Sequence, residues 1–138
     1  MNYLLDTHIL LWALAGKNLS GKKLPDTVVN ILYNPLNSIY YSSVNIFEIE
    51  IKRITNPQEK IPTGEDVIAF SRQAGYIMLP LSEEHALLMK TLQKDDTVRN
   101  HKDPYDWLLV SQAKYEGMKF ITSDSKLKYY TEPCILSV

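Results

Sequence analysis

Hydrophobic and polar positions along the chain fall into short blocks whose period switches between that of strands and that of helices. Asn2-Tyr3-Leu4-Leu5 is an apolar run that stops at Asp6. From Thr7, the residues Ile9, Leu10, Trp12, Ala13 and Leu14 predict a helix that Gly16 ends. Lys17 to Lys23 is polar and reads as a loop, and a second helix is predicted from Pro25 to Tyr33, with Pro25 at a first helical position. Ser38 to Ser43 is a β-branched and aromatic strand centred on Ile39-Tyr40-Tyr41. Ser43 is expected to cap a helix from Val44 to about Ile54, with Val44, Phe47, Ile51 and Ile54 at helical spacing.

Thr55 to Pro62 holds two prolines and reads as a loop. Thr63 to Ala74 is predicted helical, with Glu65 and Asp66 in the first turn and Gly75 as the stop. Tyr76 to Leu81 is a strand, placed at a sheet edge because Pro80 interrupts it. A helix follows from Ser82 to about Leu92, then a charged loop from Gln93 to Lys102. Asp103-Pro104 opens another helix that reaches Tyr115, Lys119 to Thr122 is an apolar strand, and Cys134-Ile135-Leu136 adds a last short strand. Strands and helices therefore alternate throughout. That order predicts a single α/β domain over residues 1–138, with a mostly parallel sheet covered on both faces.

Composition agrees and narrows the function. The chain has 138 residues, 45% hydrophobic and 22% charged, which is ordinary for a globular protein and excludes a disordered or fibrous main state. Cys134 is the lone cysteine, so no disulfide scaffold is available. The longest early apolar run, Ile9 to Ala15, is far short of the ~20 residues that span a bilayer, and no Lys or Arg precedes it. A cytoplasmic protein is expected. The net charge of −1 gives no global footprint for nucleic acid, so any polyanion contact must be local.

In parallel sheets, active sites lie beyond the carboxyl ends of the strands. Asp6 follows the first strand and Asp124 follows the Lys119 to Thr122 strand. Glu48 sits one turn inside the helix after the Ser38 to Ser43 strand, and Asp103 and Asp106 share a face in the first turn of theirs. Thr122 and Ser43 accompany these acids as accessory polar groups. Converging carboxylates raise one another's pKa, and a set of four or five stays ionised only with a cation among them. Hard oxygen ligands select Mg²⁺ or Mn²⁺, which can activate water for hydrolysis of a phosphodiester. Each acid also has a plainer role open to it: Asp103 as an N-cap, Asp106 as a first-turn dipole acid, Asp6 and Asp124 as caps.

Other chemistries find no support. His8, His85 and His101 share no zinc-ligand spacing, and there is no Gly-rich phosphate loop and no GxSxG nucleophile. Trp12 and Trp107 read as packing residues.

Four segments in order resemble the PIN-domain ribonucleases, specifically the VapC-type toxins of prokaryotic toxin–antitoxin pairs. They are Leu4-Leu5-Asp6-Thr7-His8, Ser42-Ser43-Val44-Asn45-Ile46-Phe47-Glu48, Asp103-Pro104-Tyr105-Asp106-Trp107-Leu108-Leu109 and Phe120-Ile121-Thr122-Ser123-Asp124. The resemblance implies a three-layer α/β/α fold with about five strands, dependence on Mg²⁺ or Mn²⁺ and endonucleolytic cleavage of RNA. Asp6, Glu48, Asp106 and Asp124 match the family's acidic quartet as metal-binding and catalytic residues. Asp106 is favoured over Asp103 because it directly precedes the apolar helix, and Asp103 then orients or shares the metal. Trp107 stands where close relatives often carry Arg. A homodimer and a cognate antitoxin whose tail blocks the acidic site are implied as well. RNA contacts are open to Lys22 and Lys23, Lys52 and Arg53, or Lys94, Arg99 and Lys102. The alternatives are a catalytically silent RNA-binding or protein-interaction module of the same fold and a metal-dependent phosphatase. The latter lacks the usual paired aspartates, since Asp6-Thr7-His8 offers one.

Overall fold

The structure is a computed structural model, and residues 1–16, 21–93 and 103–138 are described. Among the described residues, five strands form one sheet: β1 (Asn2–Leu5), β2 (Ser38–Ser42), β3 (Ile77–Leu79), β4 (Lys119–Thr122) and β5 (Ile135–Ser137). All pairings are parallel, in the order β3-β2-β1-β4-β5. The helices are α1 (Thr7–Ala15), α2 (Asp26–Tyr33), α3 (Ser43–Thr55), α4 (Gly64–Gln73), α5 (Glu83–Leu88) and α6 (Pro104–Glu116). Parallel neighbours need crossover connections, and these helices supply them on both faces. The three-layer α/β/α arrangement expected from the alternation is the one found.

The strand pleat divides the core in two. Tyr3 and Leu5 face one side, where Ile9 and Leu10 of α1, Val28 of α2 and Val67 of α4 pack with Ile39, Tyr41 and Ile121. Leu4 and Phe120 face the other side and meet Leu109, Val110 and Ala113 of α6. Leu4, Leu5, Phe120 and Ile121 are all fully buried. Each such apolar side chain contributes roughly 1.5–3 kcal/mol over leaving it exposed. Continuous apolar strands are what a sheet covered on both faces demands.

Several boundaries differ from the expected ones, each for a local reason. Ser42, not Ser43, caps α3: its hydroxyl accepts from Val44 N at 2.9 Å, while Asn45 Oδ1 accepts from Ser42 N at 2.6 Å to complete a capping box. Ser43 is the first helical residue, and its hydroxyl instead accepts from Leu81 N at 3.0 Å. Pro25 stays extended, at φ −54° and ψ 143°, so α2 begins at Asp26. The edge strand β3 stops at Leu79, before Pro80, which has no N–H to give. The helix from Ser82 is shorter than predicted, with α5 ending at Leu88 and a 3₁₀ turn over Met89–Thr91. A second 3₁₀ turn at Leu127–Tyr129 buries Leu127 beneath β5's approach; three residues are too few for periodicity to announce it. The loops predicted at Lys17 to Lys23 and Gln93 to Lys102 lie largely outside the described residues.

Candidate functional site

The chain builds β1, β2 and β3 outward on one side and then returns to place β4 and β5 on the other. The order therefore reverses between β1 and β4, and the crevice beyond their carboxyl ends is where such sheets hold their sites. Asp6 and Asp124 flank that crevice by construction.

Asp6 is nearly fully buried and caps α1. Its Oδ1 accepts from Thr7 N at 2.7 Å and its Oδ2 from the Thr122 hydroxyl at 2.6 Å. Thr122 Oγ1 in turn accepts from Asp124 N at 3.0 Å, so one buried hydroxyl joins the ends of β1 and β4. Asp124 is half-buried and caps its own turn, its Oδ1 accepting from Lys126 N at 2.9 Å. Glu48 comes from α3, where its Oε1 accepts from the Thr7 hydroxyl at 2.7 Å and its Oε2 lies 3.7 Å from Lys52 Nζ. Asp103 caps α6, accepting from Tyr105 N at 2.9 Å, and Asp106 is buried in the first turn of that helix. Trp107 and Trp12 pack as expected, donating to Tyr130 Oη at 2.9 Å and to Lys22 O at 2.8 Å.

The electrostatics show that these acids share one region. Burial pushes the Asp106 carboxyl up to about 9, and the charges of Asp6, Asp103, Asp124 and Glu48 add to the rise. Burial also raises Asp6; the bonds from Thr122 and Thr7 oppose that, and Glu48 reinforces it. The other four sequence-selected acids thus all act on Asp106. They do not close into a ready cage: among the described residues, no three His, Cys, Asp or Glu side chains are grouped tightly enough to hold a metal ion. Ser43 stands apart, bonded to Leu81 on the β3 side. His85 is a buried cap partner, its Nδ1 accepting from Ser82 N at 3.0 Å. A cleft of about 740 Å³ between α1, α2 and α4, lined by Leu14, Leu24, Val29, Phe70 and Tyr76 among others, includes none of the five acids.

Two polar residues that sequence reasoning passed over are built into the cluster. The sequence predicts Thr7 only as a helix start and gives Asn45 no role. Asn45 Nδ2 donates to Leu5 O at 3.2 Å and to Thr7 Oγ1 at 2.9 Å, and is completely buried. The one sequence signal was the Ser42-x-x-Asn45 spacing of a capping box.

Fold and site together define a parallel α/β domain with carboxylates gathered where the strand order reverses. The chain belongs to the PIN domain family, whose model matches residues 3–133. No curated protein shows significant sequence similarity to it. Solved structures do show the same fold. VapBC2 from Rickettsia felis, bound to a DNA fragment from its promoter, is 17% identical over 100% of this chain and 98% of that chain, with a TM-score of 0.63. DNA-bound VapBC from Salmonella typhimurium is 15% identical over 99% and 98%, with a TM-score of 0.61. VapBC-1 from nontypeable Haemophilus influenzae is 17% identical over 91% and 89%, with a TM-score of 0.57. At these identities the likeness is one of fold.

Proposed function

We propose that this PIN domain is a Mg²⁺- or Mn²⁺-dependent endoribonuclease and the toxin of a toxin–antitoxin pair. The observation that carries the reading is the convergence of Asp6, Glu48, Asp103 and Asp124 on the charge of Asp106. The donor set fits a hard cation: every candidate ligand is a carboxylate oxygen, and each Asp6 oxygen accepts one hydrogen bond, which leaves it lone-pair capacity. Asp6, Asp106 and Asp124 are assigned to hold the ion, and Glu48 completes the set or orients the attacking water. A bound divalent cation supplies charge neutralisation at the phosphodiester and a water of lowered pKa. The chain's own contribution is placement. Thr122 holds Asp6 against the end of β4, and α6 presents Asp106 from its first turn. Lys52 lies beside Glu48, its Nζ 3.7 Å from Oε2, and is assigned to meet a phosphate.

The complexes named VapBC support a cognate antitoxin as partner. Phe47, Ile51 and Ile54 are exposed at helical spacing on α3 and support the homodimer. No helix among the described residues is long and apolar enough to cross a membrane, in keeping with the proposed cytoplasmic setting.

Purified protein is expected to cleave RNA with Mg²⁺ or Mn²⁺ and to stop with EDTA. Asp6→Asn is expected to lower cleavage at least about a hundredfold, the scale of lost water activation. Full activity in Asp6→Asn refutes the assignment. The looseness of the acid group favours one rival, a silent module of the same fold. That reading takes over if the protein binds Mn²⁺ yet cleaves no RNA.

A further inference from the structure

Glu48 reaches the acid cluster from a different helix than its neighbours, and its carboxylate is held by a buried polar chain that fixes its own direction. Asn45 Oδ1 accepts from the backbone N–H of Ser42 at 2.6 Å. A backbone N–H can only donate, so the oxygen end of the Asn45 amide is assigned and the Nδ2 end must face the other way. There it spends both hydrogens, on Leu5 O at 3.2 Å and on Thr7 Oγ1 at 2.9 Å. Thr7 Oγ1 is thereby an acceptor toward Asn45, and its single hydrogen goes to Glu48 Oε1 at 2.7 Å. Asn45 and Thr7 are 0% and 1% exposed, so water does not compete for these bonds.

We propose that Thr7 and Asn45 are positioning residues for Glu48: the Asn45 amide turns the Thr7 hydroxyl so that it can only donate, and that donor fixes one Glu48 oxygen, while the other lies 3.7 Å from Lys52 Nζ, and so sets the carboxylate for the role the nuclease reading gives it. The inference rests on the nuclease reading above, and it adds two residues outside the acidic set. It also explains why α1 and α3 are tied at the ends of β1 and β2, where Leu5 O receives the amide.

The test uses full-length Thr7→Val, Thr7→Ser and Glu48→Gln, with RNA cleavage and Mn²⁺ calorimetry on each. Outer-shell partners of metal ligands are typically worth about 10–100-fold, so Thr7→Val is expected to lose about tenfold or more in kcat and in Mn²⁺ affinity, with KM for RNA held within about twofold. Thr7→Ser, which keeps the hydroxyl, is expected to restore both. In a Glu48→Gln background, Thr7→Val is expected to leave the Mn²⁺ affinity where Glu48→Gln alone puts it. Wild-type kcat and Mn²⁺ affinity in Thr7→Val overturn the inference, as does an undiminished affinity loss in the Glu48→Gln background. If Thr7→Val does not fold, Asn45→Ser against wild type carries the same two readouts. A wild-type protein that binds Mn²⁺ but cuts no RNA defeats the nuclease reading instead, and the affinity comparison still decides the positioning.

Discussion

Two buried aspartates face the same crevice, and burial raises the pKa of both, but the groups around them act on that rise differently. Asp6, at the end of β1, has a donor on each oxygen, Thr7 N on one and the Thr122 hydroxyl on the other, and both favour the ionised form. Asp106, at the start of α6, is governed by burial and by four like charges, which favour the proton. In the first setting two donors counter the rise that burial imposes. In the second, four like charges add to it. The contrast shows that one crevice can oppose the effect of burial on one carboxylate and reinforce it on the next, and the proposed metal site rests on that difference.

The sharpest way to break that contrast is to neutralise each acid in turn. Both Asp6→Asn and Asp106→Asn are expected to end cleavage, but their metal-free stabilities should diverge. Asp106→Asn removes a carboxyl that the folded state must keep protonated at pH 8, and should raise the melting temperature there by at least roughly 3–5 °C, the shift that about 1 kcal/mol produces in a domain of this size. In Asp6→Asn, the amide must satisfy two donors, Thr7 N and the Thr122 hydroxyl, with one oxygen. It should gain less or lose stability. Equal melting shifts for the two variants, measured by calorimetry in EDTA, would remove the distinction.

The same contrast predicts a pH dependence of fixed sign. The Asp106 carboxyl titrates near 9 in the folded chain, against 3.8 as the ordinary value. Between those values the folded state binds more protons than the unfolded state, so stability falls as pH rises. The contribution is complete below about 3.8 and gone above about 9. Asp6, also raised, adds in the same direction. Urea midpoints of the metal-free protein should therefore decline from pH 5 to pH 9, and millimolar Mg²⁺ should flatten the upper part of that decline by replacing the proton. A rising midpoint over this window would show that neither acid is held protonated.

What the sequence made legible was the part that depends on chain order. Alternation of strand and helix periods placed Asp6 after β1 and Asp124 after β4, and the parallel-sheet rule then turned those positions into a candidate site. The edge position of β3 followed from Pro80 alone. The part that stayed hidden depends on which side chains meet across the fold. Ser42 and Ser43 are chemically identical cap candidates, and only the formed turn shows that Ser42 caps α3 while Ser43 turns to Leu81. Thr7 and Asn45 are separated by 38 positions, and no local pattern links a residue in the first turn of α1 to one in the first turn of α3. Even with every acid named in advance, the links that orient them were tertiary information.

Asp103 offers the smallest of these effects and separates its two possible roles. As the N-cap of α6, its Oδ1 accepts from Tyr105 N at 2.9 Å and, more weakly, from Asp106 N at 3.4 Å. Its charge is also among the causes that raise Asp106. Asp103→Ala loses the cap, at a cost of about 1 kcal/mol. Asp103→Ser keeps a capping oxygen and removes the charge, so it should hold stability close to wild type while easing the repulsion on Asp106. If Asp103 is a cap alone, Asp103→Ser cleaves RNA like wild type and shows a gentler loss of stability toward high pH. If Asp103 shares the metal, Asp103→Ser is as stable as wild type yet binds Mn²⁺ more weakly. Melting curves and Mn²⁺ calorimetry on that one variant tell the two apart, because the hydroxyl can stand in for the carboxylate at a helix start but not as an anionic metal ligand.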